Sequence, residues 1–241
     1  MSVDAVTRVI VVVPVHNEED LLDACLGALS AAVHRTERAG LACDVRVVLD
    51  DCTDASATLA LSYPFTVSTI RASMVGAARA HGVVTALADL GDVDLHRVWI
   101  ANTDADSQVP PQWIVDQVRI AALGTDVVLG GVRPDFADLT PVHRRHWLRT
   151  HPRGVPTGNV HGANLGIRAD AYVLAGGFPA VAEHEDVQLV ERARVAGARI
   201  GTSAHAPVVT SGRQIGRTPG GYAAFVRTLA ADLERRTVDA E

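Results

Sequence analysis

The sequence predicts an α/β fold in which a mostly parallel central sheet is flanked by helices within one domain. Short apolar runs recur along the chain, each followed by a segment with helical spacing. The first run, Val9-Ile10-Val11-Val12-Val13, is continuous instead of alternating, as a strand buried on both faces must be. Strands alternating with helices require right-handed crossovers, and such sheets collect their ligands at the carboxyl ends of the strands. Polar loops directly after strands are therefore where chemistry is to be sought.

Each element has its own signal. Pro14 ends the first strand, and Asn17 before Glu18-Glu19-Asp20 reads as the N-cap of a helix that carries Leu21, Leu22, Cys25, Leu26 and Leu29 at helical spacing. Val45 to Leu49 is a second strand, Asp50-Asp51-Cys52-Thr53-Asp54 a polar loop, and Ala55 to Leu61 a helix. Phe65 to Ile70 is a third strand, and the alanine-rich Met74 to Leu87 a helix. Val98 to Ala101 is a fourth strand, Trp113 to Leu123 a helix behind Pro110-Pro111, and Val127 to Leu129 a fifth strand. From Gly130 to Asn159 the pattern breaks down, with His143 to Arg153 rich in basic and imidazole side chains; a stretch this long is expected to be a lid, a binding segment or locally disordered. Order returns with a short strand at Asn164 to Ile167, a helix at Glu185 to Ala196, a strand at Arg199 to Thr202 and a closing helix at Tyr222 to Arg235. No repeat or linker divides the 241 residues.

Composition narrows the functions. Lys and Arg total 22 against 28 Asp and Glu, and a net charge of −6 argues against a nucleic-acid partner. The longest apolar run, Val9 to Val15, is far shorter than the roughly 20 residues that cross a bilayer, and the start lacks the basic region of a signal peptide. Three cysteines, Cys25, Cys43 and Cys52, without C-x-x-C spacing fit a reducing compartment, so a cytoplasmic protein is expected. Neither G-x-G-x-x-G nor a P-loop follows a strand, and no G-x-S-x-G elbow occurs.

Three acidic sites fall where the architecture puts a ligand: Asp50 and Asp51, Asp104 and Asp106, and Glu185 and Asp186. In Asp104-Ala105-Asp106, alternate carboxylates leaving a strand end could share a hard divalent cation, although an isolated D-x-D reads first as a turn. By themselves Glu185 and Asp186 read as charges suited to a helix's first turn.

Taken together, Pro14-Val15-His16-Asn17-Glu18, Asp50 to Asp54, Asp104-Ala105-Asp106, Gly176-Gly177-Phe178 and Glu185-Asp186 resemble the family 2 glycosyltransferases of GT-A fold, over about Val9 to Ala196. The resemblance implies a Rossmann-like GT-A domain over 1–241, with a nucleotide-binding half at about 1–131 and an acceptor-binding half at about 132–241. It implies transfer of a single sugar from a nucleoside diphosphate sugar of UDP or GDP type to an acceptor hydroxyl, assisted by Mg²⁺ or Mn²⁺. By the same analogy Pro14, His16, Glu18, Asp51, Arg71 and Asp104 bind the donor, with Arg71 preferred to Arg79, which equally suits an exposed helix position. Asp104 and Asp106 hold the metal, and His205 is a candidate third ligand that read alone is a structural histidine. Asp186, paired with Glu185, is the general base of an inverting reaction, and Gly162, Ala163 and Asn164 frame the acceptor. Two Arg in the loop Ser211 to Arg217 could close over a diphosphate. The chain departs from the pattern at Cys52 and at Val187-Gln188-Leu189, which bears on the acceptor. The missing membrane span disfavours a processive synthase, leaving a small-molecule or lipid-linked acceptor, a cytoplasmic or peripheral membrane location and a homodimer open. A nucleotidyltransferase on a related sheet, or a nucleotide-binding protein without turnover, are the alternatives.

Overall fold

The computed structural model describes residues 5–152, 154–156, 158–213 and 227. Its strands are β1 (Arg8–Val15), β2 (Ala42–Asp50), β3 (Thr66–Ile70), β4 (Val98–Asn102), β5 (Ser107–Gln108), β6 (Val127–Pro134), β7 (Leu165–Arg168) and β8 (Ile200–Thr210). They form one sheet in the order β3-β2-β1-β4-β7-β6-β8-β5. The β3-β2-β1-β4 half is parallel throughout, as the crossovers require. β7 departs from the parallel expectation by running antiparallel between β4 and β6, and β5 runs antiparallel to β8.

β1 shows why its sequence is continuously apolar. Val9, Val11 and Val13 point into one core cluster, with Leu22, Leu26, Leu29, Trp99 and Trp113, whereas Ile10 and Val12 point into another, with Val83, Ile100, Ile167 and Leu189. The first lies under α1 (Leu22–Arg38), α2 (Ser56–Leu61) and α4 (Trp113–Ala121); the second lies under α3 (Val75–Leu90), α6 (Ala169–Leu174) and α7 (Glu185–Val195). Leu22, Cys25, Leu26, Leu29 and Ala32 are the buried stripe of α1.

Three local expectations are corrected. Asn17 does not cap α1; it takes φ 51° and its Oδ1 accepts from the Thr53 amide at 2.7 Å, tying the first loop to the second, so the helix starts at Leu22. The stretch from Gly130 to Asn159 is less irregular than expected: β6 runs on to Pro134, and α5 (Pro141–Thr150) begins at Thr140, whose hydroxyl accepts from the His143 amide, with Pro141 in the first turn where it needs no donor. β8 continues to Thr210, because its far end pairs with β6 and β5. The closing helix at Tyr222 to Arg235 and Arg217 lie outside the described residues, apart from Arg227. No helix among the described residues is long and apolar enough to cross a membrane.

Candidate active site

A cleft of about 1110 Å³ opens over the carboxyl ends of β1, β2 and β4. It receives Pro14, His16, Glu18, Asp104, Asp106, Gly162, Ala163, Glu185 and Asp186, so one pocket assembles most of the residues singled out in the sequence. The first loop is held from below: His16 donates from Nδ1 to the Asp50 carbonyl at 2.6 Å, and the Glu18 amide donates to Ser56 Oγ at 2.8 Å. Asp50, 3% exposed, accepts from the backbone amides of Ala72, Ser73 and Met74 at 2.7–2.9 Å. Its carboxylate thus shapes the approach to α3 and has little capacity left for a ligand. Asp51 stands exposed beside it at φ 54°, accepting from Ser73 Oγ at 2.9 Å, at the edge of the cleft and outside its lining.

The centre of the site is an ion-pair network. Arg79, 1% exposed on α3, pairs with Asp104 through Nη2 and with Glu185 through Nε at 3.0 Å. It therefore joins the end of β4 to the start of α7. Burial works against its charge, but Asp104, Glu185 and Asp186 outweigh that and raise its pKa. Burial pushes the Glu185 carboxyl up, Arg79 opposes the rise, and the Asp186 carboxylate adds to it. Gly162 is required beside this network, because a Cβ there would meet Arg79 Nη2 at 2.5 Å. Gly76 likewise lets α3 approach the Pro179 carbonyl, which a Cβ would meet at 2.0 Å.

A second network closes the opposite side. Arg213, just past β8, grips Glu18 with two hydrogen bonds at 2.7 and 3.0 Å and reaches Asp106 Oδ2 at 2.9 Å. The other oxygen of Asp106 accepts from Ser107 Oγ and Thr210 Oγ1, both at 3.2 Å. Burial raises the Asp106 carboxyl pKa, Asp104 adds to the rise, and Arg213 opposes it. Asp186 sits half-buried in the first turn of α7, facing the cleft, with Oδ1 accepting from the Val187 amide at 2.8 Å.

Three expected site residues lie elsewhere. Arg71 is exposed and outside the cleft lining, and buried Arg79 takes the inner position. His205 is exposed on β8 and is not part of the cleft lining. Asn164 faces the core: Oδ1 accepts from Trp113 Nε1 at 2.8 Å and Gln117 Nε2 at 3.2 Å, and Nδ2 donates to Gly131 and Ala206 carbonyls. With all four bonding positions used, it fixes the Gly162-Ala163 turn from behind. Sequence reasoning missed Arg133 and Phe136, which also line the cleft and carry only the weak signal of following a strand.

Asp104 keeps one carboxylate oxygen outside its pair with Arg79, and among the described residues Asp106 Oδ2 is held by Arg213. Two hard oxygen donors two residues apart suit Mg²⁺ or Mn²⁺, which complete their shells with phosphate oxygens and water. No group of three or more His, Cys, Asp or Glu able to hold a metal occurs among the described residues, so such an ion would need further ligands beyond this pair.

Comparison with known proteins agrees with this arrangement. The profile of Glycosyl transferase family 2 matches residues 10–174. Solved structures share the fold: S. aureus TarS 1-349 in complex with UDP (17% identity, 85% of this chain and 61% of that one, TM-score 0.62) and a mannosyltransferase from Pyrobaculum calidifontis in complex with GDP-Man and Mn²⁺ (21%, 90% and 59%, 0.61). A third is glucosyl-3-phosphoglycerate synthase from Mycobacterium tuberculosis in complex with Mn²⁺, UDP and phosphoglyceric acid (16%, 95% and 78%, 0.56). At such identities the likeness is one of fold, and the chain spans about three fifths of the length of the first two. Comparison with curated proteins gives no match.

Proposed function

Since this chain belongs to glycosyl transferase family 2, we propose that it transfers a single sugar from a nucleoside diphosphate sugar to an acceptor hydroxyl, with inversion and with Asp186 as general base. The observation that carries this reading is the meeting, in one cleft, of the first-loop residues, the D-x-D pair and the acidic pair of α7. The structural neighbours that bind UDP or GDP-Man support a donor of that class.

In this reading Pro14 and His16 line the nucleoside side, Asp51 at the rim accepts a hydrogen bond from the base or ribose, and Asp104 and Asp106 hold Mg²⁺ or Mn²⁺. When bound, the ion offsets charge growing on the departing diphosphate. Arg213 contributes a guanidinium at the same place, since its partners Glu18 and Asp106 both face the cleft. Arg79 does not leave its carboxylates; it keeps Asp104 and Glu185 in register, and through α7 it positions Asp186. Asp186 takes the proton of the acceptor hydroxyl as the bond to the sugar forms, a role open to a carboxylate within hydrogen-bond reach of that hydroxyl. Glu185, buried and paired with Arg79, orients the helix start and does not exchange protons with the acceptor.

The experiment is a turnover screen of UDP- and GDP-sugars with Mn²⁺ and a panel of hydroxyl acceptors, read as nucleoside diphosphate released and as the anomeric configuration of the product. Acceptor-dependent release with inverted configuration is expected. Release with retained configuration removes Asp186 from the base role, and transfer of a nucleotidyl group instead establishes the nucleotidyltransferase alternative.

A further inference from the structure

The cleft holds four described arginines of two kinds. Arg79 and Arg213 are each neutralised by two carboxylates. Arg133, near the end of β6, and Arg144, on α5, also line the cleft, yet neither has an ion pair with any described carboxylate. Both guanidinium groups rest on one ring: their central carbons lie 5.1 and 5.3 Å from the centroid of Phe136, so the two charges are at most about 10 Å apart. Among the described residues, the one polar contact of either guanidinium is from Arg133 Nη1 to the Pro134 carbonyl at 3.2 Å.

Two cations held this close repel each other, and a phenyl face steadies them without cancelling their charge. The phenyl ring is itself packed. Phe136 packs edge-on against Trp147 at 5.5 Å, and His151 stacks on Trp147 at 4.5 Å with an interplanar angle of 4°. The result is a cationic wall on an aromatic base, in a protein of net charge −6, facing the same cleft as Asp186.

We infer that Arg133 and Arg144 form an oxyanion subsite for the acceptor, and that the acceptor is a hydroxyl compound bearing a phosphate or a carboxylate. This rests on the transfer reading above and deepens it. Guanidinium forks suit both oxyanions because each presents paired acceptor oxygens. The donor diphosphate has a separate cation in Arg213, which stands beside Asp106. With the anion on this wall, the acceptor hydroxyl extends toward Asp186.

The test uses three probes of one carbon skeleton: glycerol 3-phosphate, glycerate and glycerol. Each is titrated calorimetrically into the full chain, alone and in the presence of UDP or GDP with Mn²⁺. At least one anionic probe is expected to bind where glycerol does not, and the tighter of the two identifies phosphate or carboxylate as the group recognised. R144Q, on an exposed position of α5, should weaken that binding about tenfold and R133Q/R144Q about a hundredfold, with nucleotide affinity within twofold of the original. Glycerol binding as well as the anions, no anion binding, or anion binding unchanged in R144Q and the double variant would each overturn the subsite. The nucleotide titration is a separate arm, so loss of nucleotide binding counts against the transfer reading and leaves the anion result standing.

Discussion

Asp186 and Asp106 carry different burdens, and single substitutions separate them. Asp186→Asn keeps the shape and the hydrogen bond to the Val187 amide but removes the proposed proton acceptor, so transfer should fall about 100- to 10,000-fold while nucleotide affinity holds. Near-normal turnover, measured alongside nucleotide binding, contradicts the assignment. Asp106→Ala acts earlier: it deletes an oxygen donor of the proposed metal site and leaves Arg213 with Glu18 among the described carboxylates. Nucleotide affinity should then lose its dependence on Mn²⁺, whereas an unchanged Mn²⁺ dependence would take Asp106 out of the metal site. At this scale the sequence was informative about residue types in order and silent about which neighbour each side chain faces. Asp50 and Asp51 are adjacent, yet one is consumed by three backbone amides and the other stands exposed. Asn164 has the right position for an acceptor loop but turns toward Trp113 and Gln117, contacts 51 and 47 residues away that no local pattern encodes.

Among elements, α3, the end of β4 and α7 are joined by one guanidinium. Arg79→Ala would leave Asp104 and Glu185 without their shared cation, Glu185 in a buried position, and the expected loss is about 3–5 kcal/mol of folding stability. A urea unfolding midpoint measured against the unsubstituted chain checks this, and a change below about 1 kcal/mol would mean that solvent already screens the network. The strands other than the two-residue β5, and α1, α3, α4 and α7, are readable because their burial imposes periodicity: β1 sends alternate residues to two cores, and α1 buries a stripe. α5 was not readable in the same way. Its hydrophobic side is short, with His143 its one buried residue, and its start depends on the Thr140-Pro141 pair and not on an apolar pattern. The antiparallel placement of β7 is equally hidden, because a strand buried on both faces has the same composition in either direction.

For the whole molecule, acid stability tests how the β7-β6-β8 half of the sheet is tied together. Asp126, before β6, accepts from Arg199 side-chain and backbone groups at 2.9–3.2 Å and lies 3.7 Å from Arg168 Nε, linking the segments that lead into β6 and β8 with the end of β7. Burial pushes its carboxyl pKa up, but the Arg199 hydrogen bonds and charge outweigh burial and lower it. A carboxylate lowered in the folded state stabilises above its unfolded pKa of about 3.9, and that contribution fades as pH falls through the lower folded value. Asp126→Asn should therefore cost roughly 1 kcal/mol at neutral pH, and the gap between the two melting curves should close below about pH 4. A gap that persists undiminished into acid would show that the residue acts through packing.

The proposed function requires a donor cleft completed by a divalent ion. The most direct measurement is a thermal-shift titration of the full chain with UDP, GDP, CDP, TDP and ADP, each with and without Mn²⁺ or Mg²⁺, since a ligand that binds only the native state raises its melting temperature by mass action. A rise with UDP or GDP that needs the metal, and that survives in Asp186→Asn but not in Asp106→Ala, is the result this site predicts. No rise with any nucleotide, from protein shown by circular dichroism to be folded, would contradict it.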